Sequence, residues 1–202
     1  MIQHNNLLNT LISFSQKINF TPQDRQLAVT TIGFDISVLE IFMPLLQGGG
    51  VVIASQEDLM DTYKLIELTE RSGATVLQAT PSLWHLIIQG LGEKKLNIRG
   101  LCGGEELTST LAEVITLKVD KYWNVYGPTE TTIWSTIKEV LPEDGCISIG
   151  HPISNTQIYI LDDRMEPAPN GMKGEIYIGG EGVARGYLNR AELTKEKFIK
   201  NP

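Results

Sequence analysis

The stretch "ATVLQATPSLWHLIIQG", residues 74–90, joins a short apolar run to a longer helical pattern through a single proline. The run "ATVLQAT" has the length and apolar character of a buried strand. Pro81 stands where a proline favours the first turn of a helix, so we expect a helix to begin there. The stretch is therefore predicted to be one strand–helix unit of an α/β sheet.

Strand-like and helical patterns alternate on both sides of this unit, with short connections throughout. Before it, we expect helices over residues 5–17, from Asp35 to a kink or end near Pro44, and over residues 58–72, with strands at 26–31 and 51–54. After it, we expect strands at 98–102 and 121–125 and a helix over 107–118. Such alternation predicts an α/β fold with a mostly parallel sheet and covering helices.

The pattern changes after about residue 133, where strand-like runs follow one another with turn-forming segments between them. The runs are "TIWSTIKEV" (132–140), "CISIG" (146–150), "TQIYILDD" (156–163) and "GEIYIGG" (174–180). No helical pattern interrupts them before Ala191. We therefore predict a small antiparallel β subdomain after the α/β part. The predicted subdomains are residues 1–135 and a barrel-like unit at residues 136–202.

Composition excludes several classes of protein. The net charge is −7 and no basic stripe is present, which argues against a nucleic-acid partner. No apolar window approaches the length of a membrane span, and the first residues lack the features of a signal peptide. Cys102 and Cys146 are far apart, and the three histidines form no ligand cluster. We expect a cytoplasmic protein with reduced cysteines and no membrane partner.

Four polar or glycine-rich segments fall at the predicted ends of strands. They are "GFD" (33–35), "QATP" (78–81), "CGGEE" (102–106) and "YGPTE" (126–130). In open α/β sheets, ligands bind in the crevice beyond the carboxyl ends of the strands. We therefore expect these four segments to face one cleft.

The last of these segments belongs to "NVYGPTETT", residues 124–132, which carries several kinds of ligand-binding group. Tyr126 offers a flat ring for a base, and Asn124 can both donate to and accept from a base edge. Thr129 and the threonines after Glu130 offer hydroxyls suited to phosphate oxygens, and the glutamate is an oxygen ligand of the kind that Mg²⁺ prefers. On spacing alone, a β-turn with a hydroxyl cap and a core-facing tyrosine also accounts for the stretch.

Three motifs together resemble the adenylation domains of nonribosomal peptide synthetases, which belong to the adenylate-forming enzymes. They are "FDISVLEIF" (34–42), "NVYGPTETT" and "GEIYIGGEGVARGYLNRAELTKEKF" (174–198), and the resemblance covers essentially the whole chain. It implies ATP-dependent activation of an amino acid as aminoacyl-AMP, followed by transfer to the phosphopantetheine thiol of a carrier domain. The implied cofactors are ATP and Mg²⁺, and the implied partners are carrier and condensation domains of the same synthetase.

The resemblance also assigns roles to individual residues. Tyr126 would stack on adenine and Asn124 would hold its exocyclic amine. Thr129 would bind the α-phosphate and Glu130 would hold Mg²⁺, so these two are the implied catalytic residues. The backbone on the other side of the adenine is implied to be that of Gly104, Glu105 and Glu106.

The resemblance implies that Asp35 distinguishes an enzyme that activates amino acids from one that activates acyl groups. A substrate ammonium in a partly dry pocket needs a fixed anion, because leaving one member of a buried pair alone costs about 3–5 kcal/mol. The alternative is that Asp35 only caps the helix that starts after it. The wall of the substrate pocket is implied to consist of Asp35, Ile36, Leu39, Gln78, Leu101, Gly103, Val125, Ile133 and Trp134.

This set resembles the pocket pattern of glycine-activating members. A pocket cannot select glycine through extra contacts, since one methylene is worth only about 1–3 kcal/mol. It has to fill the space that a larger side chain would need, and Trp134, Leu39 and Ile36 are suited to that filling. The alternative for Trp134 is a core tryptophan. Glycine is therefore our hypothesis for the substrate.

The chain departs from the family pattern at both ends. The phosphate loop expected upstream of Met1, the ribose-binding aspartate expected after Pro202 and the subdomain with the catalytic lysine are absent. We therefore expect these 202 residues to be an internal fragment with little activity alone. Two alternatives stay open: an acyl-CoA or aryl-acid adenylating ligase, and a non-catalytic interaction module with an adenylation-like fold.

Overall fold

The structure, a computed structural model, describes residues 1–200, which form two β-sheets, seven α-helices and one 3-10 turn. The helices are α1 (His4–Lys17), α2 (Ile36–Leu46), α3 (Gln56–Met60), α4 (Thr62–Ser72), α5 (Pro81–Leu91), α6 (Ser109–Thr116) and α7 (Ala191–Lys197). The strands are β1 (Arg25–Ala28), β2 (Gly50–Ile53), β3 (Val76–Ala79), β4 (Leu96–Cys102), β5 (Val119–Tyr126), β6 (Thr136–Glu139), β7 (His151–Pro152), β8 (Thr156–Leu161) and β9 (Glu175–Gly180). The turn is Thr129–Thr131.

The larger sheet has seven strands in the order β2-β1-β3-β4-β5-β6-β7. Strands β1 to β5 all pair in parallel, while β6 pairs antiparallel with β5 and β7 antiparallel with β6. Strands β8 and β9 form a separate antiparallel pair. The predicted fold class, a mostly parallel sheet with helices and a small antiparallel sheet, is confirmed.

Helices cover both faces of the large sheet and enclose two apolar clusters. On one face, α4, α5 and α6 pack on the strands around Leu77, Trp84 and Tyr122. On the other face, α1 and α2 pack on the strands around Phe14 and Leu101. Because the strands are buried on both faces, they carry apolar runs rather than an alternating pattern. None of the helices in the described part of the chain has the length and apolar character needed to cross a bilayer.

The helix expected over residues 58–72 is in fact two helices, α3 and α4. Asp61 separates them with an extended backbone, and its side chain accepts a hydrogen bond of 2.9 Å from the backbone N–H of Tyr63. Aspartate competes with helical hydrogen bonding in this way and is a favoured N-cap. The amphipathic pattern therefore continues through both helices, although the side chain of Asp61 separates them.

The strands of the first sheet extend past residue 135, the predicted end of the first subdomain. Strand β6 pairs with β5 and β7 with β6, so the strands after the predicted boundary extend the first sheet. The run "CISIG" (146–150) forms no strand of its own, and only the two residues of β7 follow it. Within residues 1–200, the second sheet is a two-stranded pair, and the barrel-like unit at residues 136–202 stays a prediction.

A tight reversal between β5 and β6 explains why the first sheet continues. A Cβ on Gly127 would lie only 2.6 Å from the backbone nitrogen of Ser135, so glycine alone lets the two backbones approach this closely. The segment after β9 then returns to this reversal. Thr132 Oγ1 donates to the carbonyl of Gly182 at 2.7 Å, and Ala184 N–H donates to the carbonyl of Glu130 at 2.8 Å.

Candidate active site

A cavity of about 460 Å³ opens at the carboxyl ends of β4 and β5. All five predicted adenine contacts line it, although they come from two separate segments of the chain. Its lining consists of Gly104, Glu105, Glu106, Leu107, Asn124, Val125, Tyr126, Gly127, Trp134, Ile147 and Ile149. The structure therefore brings together the residues of "CGGEE" and of "NVYGPTETT" around one space.

Asn124 lies in this cavity with a fixed amide. Its Nδ2 donates a hydrogen bond of 2.9 Å to the backbone carbonyl of Ser148. The amide oxygen is then the atom that remains to accept a hydrogen bond, which is what an exocyclic amine of a base requires. Tyr126 is 36% exposed, so a face of its ring is available to a planar ligand.

The loop on the opposite side of the cavity is held by a glycine and a carboxylate. Gly104 has φ of +86°, a left-handed conformation that glycine adopts without cost. Glu105 Oε2 accepts hydrogen bonds from the hydroxyl of Ser82 at 2.5 Å and from its backbone N–H at 3.3 Å. Ser82 lies in the first turn of α5, where the helix dipole favours a carboxylate. The loop therefore presents its backbone in a fixed position.

A second cavity, of about 260 Å³, adjoins the first and shares Gly104, Glu105 and Trp134 with it. Four of the nine predicted substrate-pocket residues line this smaller space: Ile36, Gln78, Gly103 and Trp134. The indole packs against bare backbone, because a Cβ on Gly103 would lie 2.7 Å from Trp134 Cη2. We call this space the small cavity.

A chain of hydrogen bonds holds the indole of Trp134 in the wall of the small cavity. Trp134 Nε1 donates to Gln78 Oε1 at 2.8 Å, and Gln78 Nε2 donates to Glu40 Oε1 at 3.2 Å. Glu40 is almost fully buried and also accepts hydrogen bonds from Val29 and Thr30. Burial raises the pKa of the Glu40 carboxyl, and the hydrogen bonds that it accepts act in the opposite direction.

The other predicted pocket residues take different positions. Leu39 and Leu101 are buried in the core cluster that also contains Trp134, and Val125 lines the larger cavity. Asp35 and Ile133 line a third cavity of about 260 Å³, together with Thr129 and the start of α1. The structure therefore places four of the nine around the small cavity, one at the larger cavity, two at the third cavity and two in the core.

Asp35 does not cap α2 with its side chain. Its Oδ2 instead accepts a hydrogen bond of 2.7 Å from Thr129 Oγ1. The alternative of a simple capping role is therefore wrong. This contact joins "GFD" to "YGPTE", so two of the four strand-end segments meet directly through their side chains.

Glu130 has a partner that sequence reasoning missed. The hydroxyl of Tyr187 donates a short hydrogen bond to Glu130 Oε1. That bond raises the pKa of the Tyr187 hydroxyl, which therefore remains protonated and a donor at neutral pH. The available signal was the "RGYLNR" part of the third motif, but nothing in the sequence paired it with a glutamate 57 positions away.

Two consecutive residues near Glu130 have a strained backbone. Thr132 and Ile133 have φ of +65° and +69°, a region that β-branched residues rarely adopt. Hydrogen bonds hold the first of them, since its hydroxyl donates to Gly182 and its carbonyl accepts from the hydroxyl of Thr10 at 3.2 Å. Such strain persists only where the surroundings enforce it, and it is concentrated at ligand sites.

Glu40 is the second functional candidate that sequence reasoning missed. It is the only acidic residue of α2, Ile36–Leu46, and a lone acidic residue in such an apolar helix is a signal for a partnered buried carboxylate. The periodicity placed it on a helix, but its partners lie on the loop after β1 and at the end of β3.

Comparison with known proteins identifies the family. A model described as AMP-binding enzyme matches residues 1–188. The dimodular nonribosomal peptide synthase of Bacillus subtilis (strain 168) is 42% identical over 205 residues, and malpibaldin synthetase of Mortierella alpina is 37% identical over 208 residues. These matches cover 100% of this chain but only 8% and 4% of those proteins, so the chain spans less than a tenth of each.

A solved structure agrees with this result. The crystal structure of a holo four-domain nonribosomal peptide synthetase bound to AMP and glycine has a TM-score of 0.94 and 40% sequence identity, and the match covers 100% of this chain and 15% of that one. The family model, the relatives and the solved structure all agree with the three motifs. The chain therefore belongs to the AMP-binding enzyme family, and within that family it is similar to the nonribosomal peptide synthetases.

Proposed function

We propose that this chain is the nucleotide- and amino-acid-binding part of a synthetase that activates an amino acid with ATP as aminoacyl-AMP. The aminoacyl group then passes to the phosphopantetheine thiol of a carrier domain in the same synthetase, which also contains condensation domains. One observation carries the proposal. The cavity lined by Asn124 and Tyr126 adjoins the small cavity lined by Gln78 and Trp134, so a nucleotide and a small substrate can meet.

Adenine fits the larger cavity on chemical grounds. The ring of Tyr126 provides a stacking face, and the free amide oxygen of Asn124 provides an acceptor for an exocyclic amine. The backbone at residues 104–106 bounds the other side. The hydroxyl of Thr129 donates to Asp35 in this structure, and it would have to turn towards the nucleotide to donate to a phosphate oxygen. A site with these groups is suited to a single nucleotide. Within residues 1–200, its lining carries no lysine or arginine that would bind the backbone of a polynucleotide.

Activation requires a substrate carboxylate to attack the α-phosphorus of ATP. The new bond joins a carboxylate oxygen to phosphorus, and the bond from phosphorus to the bridging oxygen breaks as pyrophosphate leaves. The chain contributes binding and orientation to this step. Asp35 supplies a fixed anion for the substrate ammonium, and Thr129 supplies a hydrogen bond to the phosphate. Positioning and electrostatics of this kind account for most of the catalysis in phosphorus chemistry.

Glu130 fits the role of a Mg²⁺ ligand. Within residues 1–200 no cluster of three or more acidic, histidine or cysteine side chains forms a metal site. Mg²⁺ is often bound by one or two carboxylates plus substrate phosphates, so a single well-placed glutamate suffices. Tyr187 occupies only one carboxylate oxygen of Glu130. When bound, Mg²⁺ would offset the negative charge of the phosphates.

We propose glycine as the substrate of the small cavity. The indole of Trp134 and the side chain of Ile36 occupy its wall, and Trp134 is tightly seated against Gly103. A substrate side chain directed at these two groups would have to displace them, which is costly in a packed site. The solved synthetase with 40% identity to this chain was crystallised with AMP and glycine, which supports the same choice.

The test is ATP–pyrophosphate exchange by the full-length protein that contains this chain, measured across the amino acids and a set of fatty and aryl acids. We expect glycine to give the highest kcat/KM. A preference for a bulky amino acid would overturn the choice of glycine. Exchange with fatty or aryl acids alone would show an acyl-activating ligase, and no exchange with any acid would favour a non-catalytic interaction module.

A further inference from the structure

We propose that Glu40 is a positioning residue that sets the size limit of the amino-acid pocket, acting through Gln78 and Trp134. This inference rests on the proposed function, because it concerns the substrate preference of the small cavity. Glu40 itself lines none of the three cavities described above. Its effect on the substrate is therefore transmitted by the side chains that it holds.

The orientation of the Gln78 amide is dictated by its neighbours. The indole N–H of Trp134 can only donate, so it takes the amide oxygen of Gln78, at 2.8 Å. The amide nitrogen must then face acceptors, and it donates to Glu40 Oε1 at 3.2 Å and to the carbonyl of Ile36 at 3.4 Å. If the amide turned over, its nitrogen would face the indole N–H and its oxygen would face two acceptors, so all three bonds would be lost.

Glu40 is in turn fixed by donors on the loop after β1. The backbone N–H groups of Val29 and Thr30 both donate to Glu40 Oε2 at 3.0 Å, and the hydroxyl of Thr30 donates to Oε1 at 2.6 Å. With Gln78, four donors converge on one carboxylate. A carboxylate accepts at both oxygens, whereas a glutamine in its place would direct an NH₂ group at donors.

Burial makes this arrangement rigid. Glu40 is 1% exposed, and Gln78 and Trp134 are each 2% exposed. A lost partner is therefore poorly replaced by bulk water, and an unsatisfied polar group in this region is costly. The chain of hydrogen bonds has only one arrangement in which every member is satisfied.

The indole of Trp134, the last member of this series of hydrogen bonds, cannot move far without changing the shape of the pocket. It packs against the backbone of Gly103 on one side and lines both the nucleotide cavity and the small cavity. Loss of its hydrogen bond would let the ring turn and enlarge the space beside the substrate. Selection of the smallest amino acid therefore depends on a carboxylate that does not contact it.

The test compares glycine and alanine as substrates of the full-length protein in ATP–pyrophosphate exchange. For Glu40→Gln we expect the ratio of kcat/KM for glycine to that for alanine to fall about tenfold, the lower end of what one methylene is worth in a pocket. Gln78→Met, which removes the middle of the chain of hydrogen bonds and keeps a similar length, should give the same change. It also serves as the second variant if the first does not fold. An unchanged ratio in a folded variant would overturn the proposal.

Asp24→Asn is the matched control. Asp24 is also a buried carboxylate with four donors, which come from Thr21, Thr75 and Arg99, but it does not contact Gln78. This variant should reduce stability and leave the ratio unchanged. An equal fall in the control would show that general destabilisation, rather than Glu40, relaxes the pocket.

A crystal structure of the Glu40→Gln protein tests the role of Glu40 independently of the proposed function. We expect Gln78 Oε1 to leave hydrogen-bonding distance of Trp134 Nε1, and the bond from Trp84 Nε1 to the carbonyl of Leu101, 2.9 Å in the wild type, to persist. If the wild type exchanges no amino acid, the proposed function fails, and the position of the indole still decides whether Glu40 holds it. An unmoved indole overturns the inference.

Discussion

The hydroxyl of Thr129 donates a hydrogen bond of 2.7 Å to Oδ2 of Asp35, which lies 94 positions earlier in the chain. One of these residues is the proposed partner of the substrate ammonium, and the other is the proposed donor to the phosphate. If both proposed roles hold, the two side chains that touch here would join the amino-acid part of the site to the nucleotide part.

Removing the hydroxyl of Thr129 should slow activation. For Thr129→Val we expect kcat for ATP–pyrophosphate exchange to fall by about 10²–10³, the usual effect of losing one preorganised donor. Thr129→Ser keeps the hydroxyl and should retain most of the activity. Equal rates for the two variants would show that the hydroxyl does not act on the phosphate.

Neutralising Asp35 should weaken amino-acid binding. For Asp35→Asn we expect the KM for the amino acid to rise about a hundredfold or more, because the substrate ammonium loses its fixed anion. The KM for ATP should change far less. Asp163→Asn, at an exposed position, is the control. A normal KM in the Asp35 variant would assign the ammonium to another group.

Tyr187→Phe should alter the dependence on Mg²⁺. The phenol holds one oxygen of Glu130, and loss of such a supporting hydrogen bond typically costs about 10–100-fold in metal affinity or activity. A Mg²⁺ titration of the exchange rate should show a higher half-saturating concentration. In Tyr177→Phe the lost hydroxyl bonds to Glu175 at 3.0 Å, so this variant is a matched control and should show no shift.

An added methyl group at Gly103 should disturb the wall of the small cavity. A Cβ there would lie 2.6 Å from the carbonyl oxygen of Val125 and 2.7 Å from the ring of Trp134. For Gly103→Ala we expect a loss of about 1–3 kcal/mol in the free energy of unfolding, measured by urea denaturation. Gly145 has open space at the same position, so Gly145→Ala should be nearly neutral.

Asp24 should make stability depend on pH. Although burial raises its pKa, hydrogen bonds from Arg99, Thr75 and Thr21 lower it overall from the usual 3.8. The folded-state pKa is thus below the unfolded value, so this stability is present above about pH 4 and is lost as the pH falls through the folded-state pKa. We expect Asp24→Asn to cost about 3 kcal/mol at pH 7.

Urea denaturation at pH 7 and at about pH 3 tests this expectation. The difference between the wild type and Asp24→Asn should shrink at the lower pH, because the unfolded state then takes up a proton on Asp24 more readily than the folded state does. A difference that stayed constant with pH would mean that the carboxylate charge does not stabilise the fold.

Local pattern was enough to predict most of the fold. The β3–α5 unit was predicted from an apolar run and a proline, and the parallel sheet from repetition of such units. Local pattern did not predict the break between α3 and α4. The spacing of apolar residues is the same on both sides of Asp61, while its side chain interrupts the helical hydrogen bonding. The extent of the first sheet was also missed, since a strand-like run does not reveal which strand it will pair with.

The amino-acid sequence was sufficient to predict most of the elements and the ligand-binding groups at strand ends, because periodicity and turn chemistry act over a few neighbouring residues. The folded chain alone shows that Thr129 contacts Asp35, that Tyr187 contacts Glu130, and that a buried carboxylate is linked to Trp134 through Gln78. These contacts are hydrogen bonds between residues that are tens of positions apart. Their formation depends on the strand order and on close packing, which no local pattern contains.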